Sequence, residues 1–207
     1  MNTRQRITAI LITIASLVLA LSIGASAANR NAAKKAEEQA RLAAQAKVKR
    51  GKYLVNLGGC NDCHTPFKMG PNGPEPDQSR LLSGHPESLK MPPPPKLGNG
   101  PWQWAGAGTN TAFAGPWGVS YTANLTPDRL TGIGIWDEKM FFKTLRTGRH
   151  WGVSRPILPP MPWQAIGQST DEDLSAIYAY LRSIKPIHNQ VPDAVVAPPP
   201  PAKVAAR

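Results

Sequence analysis

Cys60-Asn61-Asp62-Cys63-His64 decides the fold of this chain, because it places two thiols and an imidazole within five residues. The chain has 207 residues and two cysteines, so a framework of several disulfides is excluded. A structural zinc site would need a second pair of ligands, and no further cysteine can supply it. A thioredoxin-like thiol pair would follow a β-strand, whereas the residues before Cys60 predict a helix.

The C-x-x-C-H spacing indicates covalent attachment of one c-type haem. In such a site the thiols of Cys60 and Cys63 add to the two vinyl groups, and the adjacent His64 binds the iron from one face. Only this close spacing lets a single turn of chain supply all three bonds. A non-haem thiol oxidoreductase that uses Cys60 and Cys63 is the alternative for this motif.

The second axial position of the iron would take a thioether or an imidazole from further along the chain. Met161 is the favoured candidate, since Pro160 and Pro162 fix the backbone on both sides and leave the side chain little entropy to lose. Ordinary core packing is the alternative for Met161, and His150 is the next ligand candidate. The others fit less well: Met140 is expected in the core, Met69 lies too close to His64, Met91 lacks a packed neighbour, and His85 and His188 are expected at the surface.

The first 27 residues have the three parts of an export signal. Arg4 and Arg6 precede an uncharged apolar run at residues 7–23, and Ala25-Ser26-Ala27 is a cleavage site of the A-x-A kind. The run is long for a cleaved signal and short for a membrane anchor. The sequence therefore predicts a periplasmic protein in which residues 1–27 are either removed or retained as an anchor.

The net charge of +11 lies mostly outside the predicted globular domain. Residues 28–52 carry eight Lys and Arg against two Glu, whereas residues 53–193 carry 12 basic and 11 acidic residues. Good helix formers fill residues 28–47, which predicts a basic helical stalk that contacts an anionic membrane surface. The near-neutral domain gives no support for nucleic-acid binding.

The globular domain is predicted at residues 48–193. Helices are expected from residue 48 to Gly58-Gly59, over 136–146, and from Thr170 to residue 184. Residues 70–118 hold 10 Pro and 9 Gly, which predicts a long, ordered loop insertion. Residues 194–207 predict a disordered Pro/Ala-rich tail.

With these features the chain resembles the class I c-type cytochromes of the monohaem bacterial type, and the haem modules in cytochrome subunits of periplasmic dehydrogenases. The multihaem subunits carry three C-x-x-C-H motifs and this chain has one. The resemblance implies an all-α cytochrome c fold, in which Gly51 and Tyr53 meet Ile177, Tyr178 and Leu181. It is carried by residues 50–54, 60–64, 115–118, 124–128, 131–136, 159–163 and 173–181.

The resemblance also implies the site residues. Cys60 and Cys63 would hold one haem c, His64 and Met161 would bind the iron, the Pro76 carbonyl would accept the His64 ring N–H, and Trp136 and Trp163 would wall the pocket.

The implied function is one-electron transfer, because an iron with both axial positions filled leaves no site for a small-molecule substrate. The chain would serve as a carrier or as the electron-accepting subunit of a dehydrogenase or respiratory complex, with other redox proteins as partners. No catalytic residue is assigned. The alternatives are a haem enzyme or gas sensor with a labile sixth ligand, and the thiol oxidoreductase named above.

Overall fold

A computed structural model describes residues 3–98 and 100–198, without the side chains of residues 4–28. The chain forms two units, Met1–Ala46 and Lys47–Arg207. The predicted leader at residues 1–27 falls almost entirely on residues whose side chains lie outside this description. Among the residues whose side chains the structure describes, no helix has the length and hydropathy needed to cross a membrane.

The first unit is helical. It consists of most of α1, which runs over Thr3–Leu57 and ends in the second unit. Residues 29–46 are exposed throughout. Glu38 and Arg41 form an ion pair of 2.7 Å one turn apart, and this pair lowers the pKa of the Glu38 carboxyl.

The second unit contains the end of α1 and four further helices. The Thr170 side chain caps the last of them by accepting the Asp173 N–H at 3.1 Å, which confirms the expected start of this helix. Three acidic residues in its first turn further stabilise the helix, because negative charge is favourable near a helix N-terminus. The helices are α2 at Cys60–His64, α3 at Glu138–Thr147, α4 at Trp163–Ile166 and α5 at Asp171–Ser183, with 3₁₀ turns at Gln78–Arg80 and His150–Gly152.

Helices α1 and α5 cross at Gly51. A Cβ atom at this position would lie 1.9 Å from the Ala176 carbonyl oxygen, so only a glycine allows the two backbones to approach this closely. Val55, one turn later on the same face, is fully buried in the core with Leu174. The expected contact of Tyr53 with α5 is wrong: this side chain is 55% exposed, because it lies two residues from Gly51 on the other side of the helix.

The prediction of an all-α fold is only roughly right, because the segment expected to be mostly loop forms two small antiparallel sheets. Strands β1 (Phe67–Gly70) and β2 (Gly73–Pro76) make a hairpin. The second sheet has the order β3-β4-β5-β6, with β3 at Ala105–Gly106, β4 at Ala112–Gly115, β5 at Gly118–Tyr121 and β6 at Val195–Val196. The turn between β1 and β2 and the turn between β4 and β5 each contain a proline. For this reason the sequence pattern did not identify them as hairpin turns.

The predicted disorder of the C-terminal tail is wrong at its first residues. Val195 and Val196 pair with Val119 and Gly118, and the Ala197 N–H donates to the Trp117 carbonyl at 2.9 Å. A Cβ atom at Gly118 would lie 1.9 Å from the Val195 oxygen, so this glycine admits the strand. Residues 199–207 lie outside the described part of the chain.

A buried polar network attaches the segment after α5 to the insertion. The Asn189 side chain is fully buried and donates to the carbonyls of Ser83 and His85, at 2.7 and 2.8 Å. His85 was expected at the surface and is instead fully buried, where its ring contacts Thr111 Oγ1 and the Leu89 oxygen, both at 3.0 Å. The insertion is thus part of the core.

The helix crossing gives a test of the packing. We expect Gly51→Ala to lower the free energy of unfolding by about 1–3 kcal/mol, because the added methyl overlaps the backbone of α5. Denaturant unfolding of the haem-loaded protein measures it. Gly98→Ala is the matched control, since no atom of the described residues beyond its chain neighbours lies within 4 Å of its Cβ position. Equal stability of the two variants would contradict the crossing.

Candidate functional site

The C-x-x-C-H motif forms a helix of its own, α2, at the end of α1. Helix α1 ends at the glycine pair, where the Gly58 N–H reaches the Leu54 oxygen at 2.8 Å and Gly59 adopts a φ of 65°. This left-handed residue turns the chain, as glycine does at helix ends. Helix α2 then presents Cys60 and Cys63, both half-buried, and His64, which is 7% exposed.

His64 is held as a neutral imidazole with one ring nitrogen committed. Its Nδ1 lies 2.7 Å from the Ala123 carbonyl oxygen. Burial lowers the pKa of the imidazole, although the Ala123 contact acts in the opposite direction. A neutral ring that donates Nδ1–H to a carbonyl keeps its lone pair on Nε2, which is the form that binds a metal.

The carbonyl at His64 Nδ1 was predicted to be that of Pro76, and this prediction is wrong. Pro76 instead ends the β1–β2 hairpin, where it pairs with Phe67. The insertion folds back on itself, and the carbonyl that reaches His64 Nδ1 comes from Ala123, after β5. Sequence reasoning missed Ala123, although it directly precedes the Asn124–Asp128 segment that carries the family resemblance.

Gly84 holds the Ala123 segment against the motif. Its N–H donates to the His64 carbonyl at 2.8 Å, and the next N–H, of His85, donates to the Thr122 oxygen at 3.0 Å. A Cβ atom at Gly84 would lie 2.4 Å from that Thr122 oxygen, and its φ is 76°. Both the close approach and the backbone conformation therefore require glycine here.

The two thiols are free and poorly suited to nucleophilic chemistry. Burial raises the pKa of Cys60 to about 11 and also raises the pKa of Cys63. Reactive thiols in oxidoreductases have the opposite shift, because the thiolate is the attacking species. Conversion to neutral thioethers would suit the same burial, so the residues fit haem attachment better than thiol exchange.

Met161 and Trp136 lie against the same core as Cys60. All three are partly buried and pack on the cluster that includes Leu145 and Leu181. The Met161 loop is fastened to β5, because Ser120 Oγ donates to the Pro159 oxygen at 2.6 Å. The contacts thus bring Cys60, Trp136 and Met161 to one core, and iron binding by Met161 stays a prediction.

Trp163 and His150, which the sequence also identified as candidates, lie within about ten residues of Met161 along the chain. Trp163 is half-buried at the start of α4, and its ring would be 2.3 Å from a Cβ atom at Gly148. His150 is half-buried, and its ring centroid lies 5.3 Å from that of Trp136. These contacts leave the pocket roles of Trp136 and Trp163 as predictions.

Three buried polar atoms lie in the two segments that bond to His64. Arg80 Nε, Ser83 Oγ and Thr122 Oγ1 have no hydrogen-bond partner among the described residues. All three belong to the two segments that contact His64, at 80–85 and 122–123. Leaving a buried donor unpaired costs about 1–3 kcal/mol, so these atoms favour a bound acceptor such as the carboxylates of haem.

Comparison with known proteins gives one family. The family model for cytochrome c matches residues 48–185. The cytochrome c subunit of alcohol dehydrogenase (quinone) from Gluconobacter oxydans (strain 621H) is 30% identical over 179 residues, which are 84% of this chain and 29% of that protein. The gluconate 2-dehydrogenase cytochrome c subunit of Pantoea cypripedii is 28% identical over 144 residues, 68% of this chain and 24% of that protein.

A third relative has a similar extent of match. The fructose dehydrogenase cytochrome subunit of Gluconobacter japonicus is 28% identical over 141 residues, 68% of this chain and 22% of that protein. The chain therefore spans less than a third of the length of each of these curated relatives.

The Gly84 contacts predict a shift in the electronic properties of His64. In Gly84→Ala, the methyl should displace the Ala123 carbonyl and weaken its bond to Nδ1, which makes the imidazole less basic. We expect the reduction potential of the haem to rise by about 40 mV, the equivalent of about 1 kcal/mol.

Redox titration measures this shift, and Gly73→Ala is the matched control. Gly73 also has a positive φ, of 113°, but apart from its chain neighbours no residue that the structure describes lies within 4 Å of its Cβ position. Its substitution should strain the backbone and leave the potential unchanged. Equal potentials in the two variants would contradict the assignment of Ala123 as the partner of His64.

Proposed function

Because the chain belongs to the cytochrome c family, we propose that it passes single electrons between redox proteins through a haem whose iron is bound by His64 and Met161. The chain is an electron-transfer protein with covalently bound haem c, similar to the cytochrome subunits of dehydrogenases and not to their catalytic subunits. When bound, the haem supplies a reversible one-electron couple.

One observation carries this proposal: the buried, neutral His64 beside two free thiols on the same short helix. Cys60 and Cys63 would form the covalent attachment, and His64 would bind the iron through Nε2 while Ala123 orients the ring. Burial of His64 and partial burial of the two thiols limit the access of water, which favours the reduced state. The raised pKa of Cys60 weighs against the thiol oxidoreductase alternative.

Met161 is proposed as the sixth ligand. Its neighbouring prolines and the Ser120–Pro159 hydrogen bond restrict the loop, so a thioether at this position loses little entropy on binding. A filled sixth position would exclude substrates and diatomic gases. The haem enzyme and gas sensor alternatives require this position to be labile, so ligand access distinguishes them from the proposal.

Arg80, Ser83 and Thr122 are proposed to hold the haem carboxylates. Each contributes a buried donor without a partner among the described residues. Arg80 is itself positioned by Asn189, whose Oδ1 accepts its Nη2 at 2.8 Å. A guanidinium and two hydroxyls would compensate the cost of burying these anions.

The partner and location are proposed from the relatives and the sequence. The relatives are cytochrome subunits of alcohol, gluconate and fructose dehydrogenases, which supports a dehydrogenase-type redox partner. The leader would place the chain in the periplasm, soluble or tethered at the outer face of the inner membrane. There the basic helix at residues 28–47, which is exposed over residues 29–47, would contact anionic lipid, worth on the order of 1 kcal/mol per charge near the surface.

The role of Met161 is tested by Met161→Ala. Loss of the thioether should lower the reduction potential by on the order of 100 mV and let cyanide or carbon monoxide bind rapidly. Absorption spectroscopy and redox titration measure both effects. Met69→Ala is the control, because Met69 is 78% exposed. Rapid cyanide binding by the parent, with an unchanged spectrum in Met161→Ala, would favour the enzyme or sensor alternative.

The carboxylate assignment predicts the sign of a stability change. Removing an unpaired buried hydroxyl should be neutral or stabilising, whereas removing one that binds an anion should cost about 1–2 kcal/mol. We therefore expect Ser83→Ala to lower the free energy of unfolding of the haem-loaded protein. Thr144→Val is the comparison, since Thr144 Oγ1 is buried without a partner among the described residues and lies in α3. Stabilisation by Ser83→Ala would refute the assignment.

A further inference from the structure

The insertion carries an exposed apolar surface that electron transfer through the haem does not by itself explain. Leu97, Trp102 and Trp104 line a groove of about 590 Å³. Phe67, Met69 and Met91 line a second groove of about 450 Å³. The consecutive residues 105–106 and 107–108 belong to the first and the second groove, so the two adjoin. We call this surface the tryptophan face.

The tryptophan face exposes two tryptophans of the insertion and a methionine that directly precedes it. Trp102 and Met69 are each 78% exposed and Trp104 is 47% exposed. Exposed apolar patches of this kind, especially with tryptophan, mark sites where another molecule binds. Trp104 is held in place by Phe113, whose ring centroid lies 5.8 Å away, so this anchor is positioned before binding.

The charge around the face defines the occupant. Residues 88–127 contain no acidic residue. Lys96 lies beside Leu97 at the first groove and Lys90 lies beside Met91 at the second, so a cation flanks each groove, and Glu75 beside Pro74 adds one carboxylate at the second. The complementary surface is apolar at its centre and carries carboxylates at its rim.

The grooves favour a protein over a lipid surface. Tryptophan and lysine also suit a membrane interface. Two adjoining concave grooves, however, accept projecting side chains, as protein partners supply at the centre of an interface.

The face is attached directly to the haem-binding motif. Asp62 is one of the two residues between Cys60 and Cys63 in the motif. Its carbonyl oxygen accepts a hydrogen bond of 2.7 Å from Asn110 Nδ2. The Phe67 N–H also donates to the Thr109 oxygen at 2.9 Å. Phe67 and Thr109 both line the second groove, so a molecule seated there lies close to the motif at which the haem would be attached, where a redox protein can exchange electrons with it.

We propose that the tryptophan face is the docking surface for a protein redox partner with an apolar, acid-rimmed surface. That the partner is a redox protein rests on the proposed function. Because the centre of the face is apolar, the complex persists in salt.

The test places a photo-cross-linking amino acid at position 102 in the full chain, matured in its own host. Position 151 is the matched control, because Trp151 is 47% exposed and belongs to neither groove. We expect position 102, and not position 151, to cross-link to a redox enzyme whose substrate then reduces the attached haem. Cross-links to lipid, to a second copy of the chain, or to nothing would each overturn the proposal.

A paired variant tests the energetics. Trp102→Ser with Trp104→Ser should reduce recovery of that enzyme in high salt by about tenfold or more, and Trp151→Ser should leave it unchanged. The variant should keep the parent's haem content, spectrum and potential. Undiminished recovery would overturn the docking surface, whereas a parent without haem would instead refute the proposed function.

Discussion

The hydrogen bond between His64 Nδ1 and the Ala123 oxygen is the contact on which the rest of the site depends. It selects the ring nitrogen that remains for a metal, and it attaches helix α2 to a segment about 60 residues later. Gly84 holds that segment by a backbone approach that no side chain would allow. Asn189, fully buried, fastens the Gly84 loop from the end of the chain through its bonds to Ser83 and His85. The position of one imidazole is therefore set by three distant parts of the sequence.

Burial connects the chemistry of the site to its packing. The same apolar core that includes Val55 and Leu174 contacts Cys60 and Met161. In this setting the pKa of the Cys60 thiol rises to about 11, so the thiol makes a poor nucleophile. Neutral thioethers lose nothing by such burial, and a neutral thioether ligand favours ferrous iron. One physical constraint, the exclusion of water, thus explains both why thiol exchange is disfavoured here and why a covalently attached haem is suited to the site.

Features that short stretches of sequence determine could be predicted, and features that depend on contacts between distant residues could not. The motif and the helix that Thr170 caps follow from local patterns, whereas the crossing at Gly51 was implied by the family resemblance. The Ala123 contact, the buried His85 and the strand at Val195 depend on how the insertion folds, and proline-containing turns concealed its hairpins. Tyr53 was misplaced because the helical face was assigned from family resemblance, whereas its spacing from Gly51 puts it on the opposite side. Ligation of the iron by Met161 remains a prediction, because it depends on how a distant loop meets the motif.

The intact mass of the exported protein, matured in a host that attaches haem, shows directly whether Cys60 and Cys63 carry a haem. We expect the mass of the polypeptide plus one haem, and loss of that addition when Cys60 and Cys63 are both replaced by alanine. A parent protein that carries no haem and retains two free thiols, or a disulfide between them, would contradict it.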